Sequence, residues 1–335
     1  MNTSPSPHAG DYLCCPSCGE PIAAQDSYCE SCGARLAPLV VSDRVPRDHV
    51  ELDLGRAVGI TDRGRRHPRN EDALALATAE TPGGPVVIAV VCDGVSTADR
   101  PDEASLAAAQ AAADELLAAA RAGTSLPEAS ARAAGLARDA VAALARPGME
   151  APAATYVSAV LAGDTVTLCW LGDSRAYWLC AGAAPTGPSG PSGPSGRQLT
   201  RDDSLAEELV AQGLLSESEA LASPQAHVVT RWVGAGSSEL VPHITEFSPP
   251  GQGTLLLCSD GLWNYAPDAA ELAALAMPGA LTDPLGTAAA LVRFAVDAGG
   301  MDNITVALVP YPPVKPVQPV KPIPPVQPVQ PARQS

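Results

Sequence analysis

The chain has 335 residues, enough for one large domain with accessories, and its hydrophobic fraction of 46% supports a sizeable core. With only 4% aromatic residues, that core must be aliphatic. A formal net charge of −16 argues against nucleic acid as the main partner, because phosphate backbones are gripped through lysine and arginine.

Residues 1–13 are polar and proline-bearing, with no apolar core of signal-peptide type, and are expected to be disordered. Residues 14–36 form a cysteine-rich module. Cys15-Pro-Ser-Cys18 and Cys29-Glu-Ser-Cys32 are two knuckles separated by ten residues, and each is followed by a glycine, Gly19 or Gly33, as a tight turn requires. Four thiolates at this spacing suit one tetrahedral zinc ion, the bland alternative being reduced cysteines without metal. The module resembles the short zinc ribbons of many bacterial proteins, with Cys14 as an extra neighbour able to substitute in one knuckle. A closed four-cysteine site has no open position for catalysis. With no basic cluster around it, docking to protein is expected rather than docking to DNA. A linker of mixed charge, residues 37–50, follows.

Residues 51–311 carry the periodic patterns of a folded domain. Strands are predicted at Val86–Cys92, Tyr156–Ala162, Thr165–Leu171, Arg175–Leu179, Thr254–Cys258 and Ile304–Val309. Helices are predicted at Asp102–Ala122 and Leu126–Ala145, anchored by Leu106, Leu116, Leu117, Leu136, Val141 and Leu144. Antiparallel sheets with flanking helices fit this order better than a doubly wound parallel sheet. The Gly-Pro-Ser repeats of residues 186–196 are too few for a triple helix and read as a flexible insertion. From residue 312 to 335, Pro-Val-Lys/Gln-Pro repeats lack the backbone donors for helix or sheet. That tail is expected to be disordered polyproline, a spacer or a ligand for an SH3-like partner. The longest strongly apolar run, Val86–Cys92, is too short to span a bilayer, so a cytoplasmic protein is expected, with no membrane partner.

The apolar strands repeatedly end in aspartate beside glycine. Val86–Cys92 runs into Asp93-Gly94, Thr165–Leu171 into Gly172-Asp173, and Thr254–Ser259 into Asp260-Gly261. Asp302-Asn303 immediately precedes Ile304–Val309, and Asn70-Glu71-Asp72 lies upstream. An isolated Asp-Gly is ordinarily a turn dipeptide. Several such sites on apolar strands point elsewhere, because gathered carboxylates repel unless a hard divalent cation neutralises them. No lysine or arginine lies beside Asp93, Asp260 or Asp302 in the sequence. Oxygen ligands without histidine or cysteine favour magnesium or manganese over zinc.

Six ordered segments make the resemblance specific. They are Thr61-Asp62-Arg63-Gly64 with Asn70-Glu71-Asp72; Asp93-Gly94; Gly172-Asp173-Ser174-Arg175-Ala176-Tyr177; Gln198-Leu199-Thr200 with Asp202; Cys258-Ser259-Asp260-Gly261-Leu262-Trp263; and Asp302-Asn303-Ile304-Thr305-Val306. From about residue 55 to 310 the chain resembles the type-2C (PPM) family of metal-dependent protein serine/threonine phosphatases. The resemblance implies an α+β fold of two antiparallel β-sheets sandwiched between α-helices. It implies that Asp93 bridges two Mn2+ or Mg2+ ions, with Glu71 and the Gly94 carbonyl on one and Asp260 and Asp302 on the other. Asp72 would hold metal-bound water, and Asp173 resembles a residue that helps bind a third metal in some bacterial members. The implied reaction is hydrolysis of phosphoserine or phosphothreonine in proteins by a metal-bridging hydroxide, without a phosphoenzyme, opposing a bacterial-type serine/threonine kinase.

The match departs in places. Relatives usually carry an arginine three residues before Asn-Glu-Asp, where it grips substrate phosphate; here His67 stands there, and Arg66 or Arg69 is the alternative phosphate contact. The familiar Asp-His after Leu-Thr becomes Asp202-Asp203, and the glycine-rich stretch after the first Asp-Gly becomes Val95-Ser96-Thr97-Ala98. Two other readings are open. Asp93 could be the nucleophile of a haloacid-dehalogenase-like phosphotransferase, but that chemistry needs a second aspartate where Val95 stands. The fold could also serve as a catalytically weak phosphoprotein-binding scaffold.

Overall fold

The computed structural model describes residues 13–14, 20–22, 31, 39–41, 48–182, 193–216, 219–220, 223, 228–236 and 241–313. Cys15, Cys18, Cys29 and Cys32, residues 186–192 of the expected insertion and the tail from residue 314 lie outside the described residues. No helix among the described residues is long and apolar enough to cross a membrane.

Strand β1 (Leu13–Cys14) pairs with β2 (Pro21–Ile22), flanking the first cysteine knuckle. Strands β3 (Leu39–Val41), β4 (His49–Asp53), β5 (Val58–Asp62), β6 (Asp72–Thr81) and β7 (Gly84–Asp93) lead into helices α1 (Pro101–Ala122) and α2 (Leu126–Ala142). Then come β8 (Ala153–Ala154), β9 (Tyr156–Ala162), β10 (Thr165–Leu171), β11 (Arg175–Cys180), β12 (Ser195–Gln198), α3 (Leu205–Ala211), β13 (Val233–Gly234) and β14 (His243–Phe247). The fold closes with β15 (Gly253–Cys258), α4 (Asp260–Trp263), α5 (Ala269–Ala276), α6 (Pro284–Ala298) and β16 (Ile304–Tyr311).

Two six-stranded sheets form, in the orders β14-β10-β9-β7-β6-β3 and β12-β11-β15-β16-β5-β4. Every pairing within them is antiparallel. Three buried clusters make four layers. Leu74, Leu76, Val87, Val91, Leu255 and Leu257 fill the space between the sheets. Alanines of β6 and α1 pack with Leu116 on one outer face, and Leu256, Leu272 and Leu291 join the second sheet to α5 and α6 on the other. The expected sandwich is the observed one.

The alternation in Asp72-Ala-Leu-Ala-Leu-Ala-Thr-Ala explains β6. Leu74 and Leu76 face the partner sheet, while Ala73, Ala75 and Ala77 face α1, where small side chains let helix and sheet approach closely. The same logic corrects one predicted anchor. Leu136 is 44% exposed, because α2 buries Ala129, Ala133, Ala134, Ala137 and Val141 instead. The segment read as a linker, residues 37–50, contains β3 and the start of β4, and β3 pairs with β6 as an edge strand of the first sheet. The expected insertion also ends earlier than residue 196, since Ser195 and Gly196 are strand residues paired with Cys180 and Leu179.

Candidate metal centre

The chain crosses between sheets at one end of the sandwich, from β5 to β6 and from β10 to β11. These crossovers bring together acidic residues far apart in sequence. Asp93 ends β7 and lies opposite Asp72, the first residue of β6. Asp260 follows β15 and Asp302 precedes β16, its antiparallel neighbour in the second sheet. Glu71, Asp72 and Asp173 are buried, whereas Asp93, Asp260 and Asp302 sit half-buried at the mouth.

Hydroxyl and amide groups fix this end of the sandwich. Asp72 Oδ2 accepts from Ser259 Oγ and Thr305 Oγ1, both at 2.7 Å, so one carboxylate oxygen ties the two sheets. Thr305 Oγ1 also lies 2.7 Å from Thr61 Oγ1, and Asn70 Nδ2 donates to the same threonine at 2.8 Å. Asn303 Oδ1 accepts from the Glu71 N–H at 2.7 Å, while its Nδ2 donates to the carbonyls of Arg63 and Arg69. The Asp93 N–H donates to Thr155 Oγ1 at 3.1 Å. Glu71 precedes β6 rather than lying on it, yet it diverges from Asp72 as expected. Its carboxylate takes Ser96 Oγ and Arg69 Nε (3.1 Å).

Glycines permit the close approaches. The Gly94 N–H donates to the Glu71 carbonyl at 3.0 Å, and a Cβ on Gly94 would lie 2.3 Å from the Pro101 carbonyl oxygen. On Gly261 it would lie 1.9 Å from the Asn303 carbonyl oxygen, so Asp260 and Asp302 are held side by side only because that position has no side chain.

The cluster is electrostatically costly. Burial first, and then Asp72, Asp260 and Asp302, push Asp93 well above the usual carboxylate range. Burial and the charges of Asp173, Asp302 and Asp72 do the same to Asp260. Burial raises Asp72 to about 7, against the opposing pull of its Thr305 and Ser259 bonds, and raises Asp173 to about 7 with help from Asp202. Asp72 Oδ1 and Asp260 Oδ1 are buried with no hydrogen-bond partner among the described residues. Unpaired buried anionic oxygens are the features a divalent cation offsets.

Of the candidate phosphate contacts, His67 lies against the cluster, its Nε2 3.2 Å from Asp302 and its Nδ1 3.9 Å from Glu71. Arg69 is paired with Glu71 and lies 3.6 Å from Asp102, and Arg66 is exposed. Beside Asp302 and Gly261 opens a cleft of about 840 Å3 walled by Arg201, Glu207, Trp263 and Tyr265. Its floor includes Arg175, which is doubly bonded to Asp202 and stacked 3.6 Å over Trp263. The supporting hydroxyls, Ser96, Thr155, Ser259 and Thr305, escaped a reading based on carboxylates alone. The one available signal was a polar residue such as Thr305 inside the apolar strand β16.

The Protein phosphatase 2C family profile matches residues 62–192. Protein phosphatase PhpP of Streptococcus pneumoniae is 41% identical over 114 residues, 33% of this chain and 44% of that protein. Serine/threonine phosphatase stp of Listeria innocua is 35% identical over 140 residues, 42% of this chain and 49% of that protein. These matches thus span about half the length of the curated relatives. Among solved structures, the PPM Ser-Thr phosphatase MsPP from Mycobacterium smegmatis, in complex with cacodylate, is 30% identical, with a TM-score of 0.56. That alignment covers 76% of this chain and 97% of MsPP. The serine/threonine phosphatase PstP/Ppp of Mycobacterium tuberculosis is 26% identical over 76% of this chain and 97% of its own, with a TM-score of 0.59.

Proposed function

Because this chain belongs to the PPM family of serine/threonine phosphatases, we propose that it hydrolyses phosphoserine and phosphothreonine in proteins, using two Mn2+ or Mg2+ ions held by Glu71, Asp93, the Gly94 carbonyl, Asp260 and Asp302. The observation that carries this reading is the buried carboxylate cluster with its two unpartnered oxygens, Asp72 Oδ1 and Asp260 Oδ1. An all-oxygen donor set fits hard divalent cations. The catalytic domain of PstP has been solved in complex with two manganese ions. Among the described residues, no three His, Cys, Asp or Glu side chains are already gathered as a metal ion would require.

Bound there, the cations supply Lewis acidity that activates water and offset charge on the phosphoryl oxygens. The chain's own residues do the rest. Asp93, which feels the charges of Asp72, Asp260 and Asp302, would contribute its carboxylate to holding the ions. Asp72, anchored through Oδ2, keeps Oδ1 free to orient water and take a proton. The cleft beside Asp302 receives the polypeptide flanking the phosphorylated residue. Asp173 serves a third ion position, and a serine/threonine kinase is the expected functional counterpart. A phosphopeptide assay with Mn2+, with and without chelator, tests the whole reading.

Two outcomes discriminate finer points. If His67 leaves the carboxylates to hold substrate phosphate, His67→Ala raises KM severalfold and His67→Arg, whose guanidinium can grip phosphate at two points, lowers it. If Arg69 or Arg66 holds it, Arg69→Ala or Arg66→Ala raises KM severalfold while His67→Ala leaves it unchanged. Initial rates across phosphopeptide concentrations decide between them.

The cysteine module is proposed to hold one zinc through Cys15, Cys18, Cys29 and Cys32, apart from catalysis. Metal analysis of the purified chain should find one zinc per chain, lost when Cys15 and Cys18 become serine. Because β3 belongs to the main sheet, a truncation meant to spare turnover of a small phosphate ester must end before Leu39. A zinc-free preparation made without chelator contradicts the ribbon.

A further inference from the structure

Asp203, a buried residue outside the ligand set, grips Gly172 twice. Its N–H donates to the Gly172 carbonyl at 2.9 Å, and the Gly172 N–H donates to Asp203 Oδ2 at 3.1 Å. Asp203 Oδ1 accepts from His243 Nε2 at 2.8 Å, with Arg231 Nε 3.7 Å away. The imidazole is itself fixed. His243 stands opposite Trp170 in the β10–β14 register, and the two rings stack at 4.9 Å and 21°. The Trp170 indole donates to the Arg201 carbonyl at 2.8 Å.

Gly172 begins the turn that carries the chain from one sheet to the other, with φ +103°. Its carbonyl belongs to the peptide bond that enters Asp173, so the bond from Asp203 fixes the plane from which the Asp173 side chain departs. On the far side of Asp173, the Trp263 indole donates to the Asp173 carbonyl at 3.0 Å.

We propose that Asp203 and His243 are positioning residues that set the Gly172-Asp173 turn, and so the affinity for the divalent cation that Asp173 helps hold. This rests on the reading of Asp173 as a ligand given above. A hydrogen-bond partner on a ligating side chain is worth about 10- to 100-fold in metal affinity. Asp203 acts on the backbone that carries the ligand rather than on its carboxylate, so the lower end of that range applies.

The test is Mn2+ titration of the full chain by calorimetry, alongside thermal melts. Asp173→Asn should abolish one binding event, and Asp203→Ala should weaken that same event up to about tenfold while the others keep their affinity. Asp203→Asn, whose amide oxygen can still accept from Gly172, should recover most of the loss. His243→Gln, which retains an N–H donor, should bind more tightly than His243→Ala. A purely structural role predicts a lower melting temperature with an unchanged isotherm, and that result for Asp203→Ala overturns the proposal. If Asp203→Ala does not fold, an unchanged isotherm in His243→Ala overturns it instead. If Asp173→Asn binds Mn2+ as the parent does, the ligand reading of Asp173 fails and the proposal falls with it. Loss of the event in Asp173→Asn alone defeats only the positioning role.

Discussion

Replacing Asp93 or Asp260 with asparagine should lower turnover of a phosphothreonine peptide by about a hundredfold or more, while circular dichroism shows the fold intact. Both aspartates lie where the two sheets meet, and each is proposed to hold a cation whose Lewis acidity contributes several kcal/mol to the reaction. About 1.4 kcal/mol corresponds to each factor of ten in rate, so losing about 3 kcal/mol reaches a hundredfold. The fold should tolerate these changes because neither carboxylate supports it. Asp93 is positioned through its backbone, by the bonds between its N–H and Thr155 Oγ1 and between its carbonyl and the Thr155 N–H. Asp260 leaves Oδ1 without a partner and spends Oδ2 only on Asn264. Parental turnover in either folded variant contradicts the ligand assignment.

The second large effect concerns the metal-free chain. Asp72 and Asp173 lie at about 7 in the folded state against an ordinary value of 3.8, so the native chain binds more protons than the unfolded chain between those limits. Stability from these groups is therefore fully present below about pH 4 and is lost as pH rises through about 7. The high positions of Asp93 and Asp260 act in the same direction. The loss is on the order of several kcal/mol. In EDTA the melting temperature should therefore fall by about 10 °C or more between pH 5 and pH 8. Saturating Mn2+ should remove most of that fall, since a cation stabilises the ionised form, and Asp72→Asn should flatten the chelated profile. A melting temperature that is level or rising with pH in EDTA contradicts the electrostatic account.

Much of this was legible in the sequence, for identifiable reasons. Strands such as Tyr156–Ala162 and Thr165–Leu171 are largely apolar runs buried on both faces, and their predicted bounds equal the observed ones. β6 went unread because its alternating alanines also suit a helix, and only the close packing of α1 gives them a strand's role. Leu136 misled for the converse reason, since a small-residue face can be the contact face of a helix. Asp93, Asp260 and Asp302 were identifiable by their place at strand ends, and the structure brings them to one end of the sandwich. The hydroxyls that orient Asp72 were not, because Ser259 and Thr305 acquire meaning only when β15 and β16 lie beside β6 in space. His243 is likewise remote from Asp203 until β14 pairs with β10.

The most direct test of the central claim is inorganic phosphate release from a phosphothreonine peptide by the full chain, measured as purified, after chelation and after addition of Mn2+. The account predicts release that stops in EDTA and returns with excess Mn2+, without a phosphorylated form of the chain at any time. Release undiminished in metal-free protein, or none from folded protein supplied with Mn2+, would contradict it.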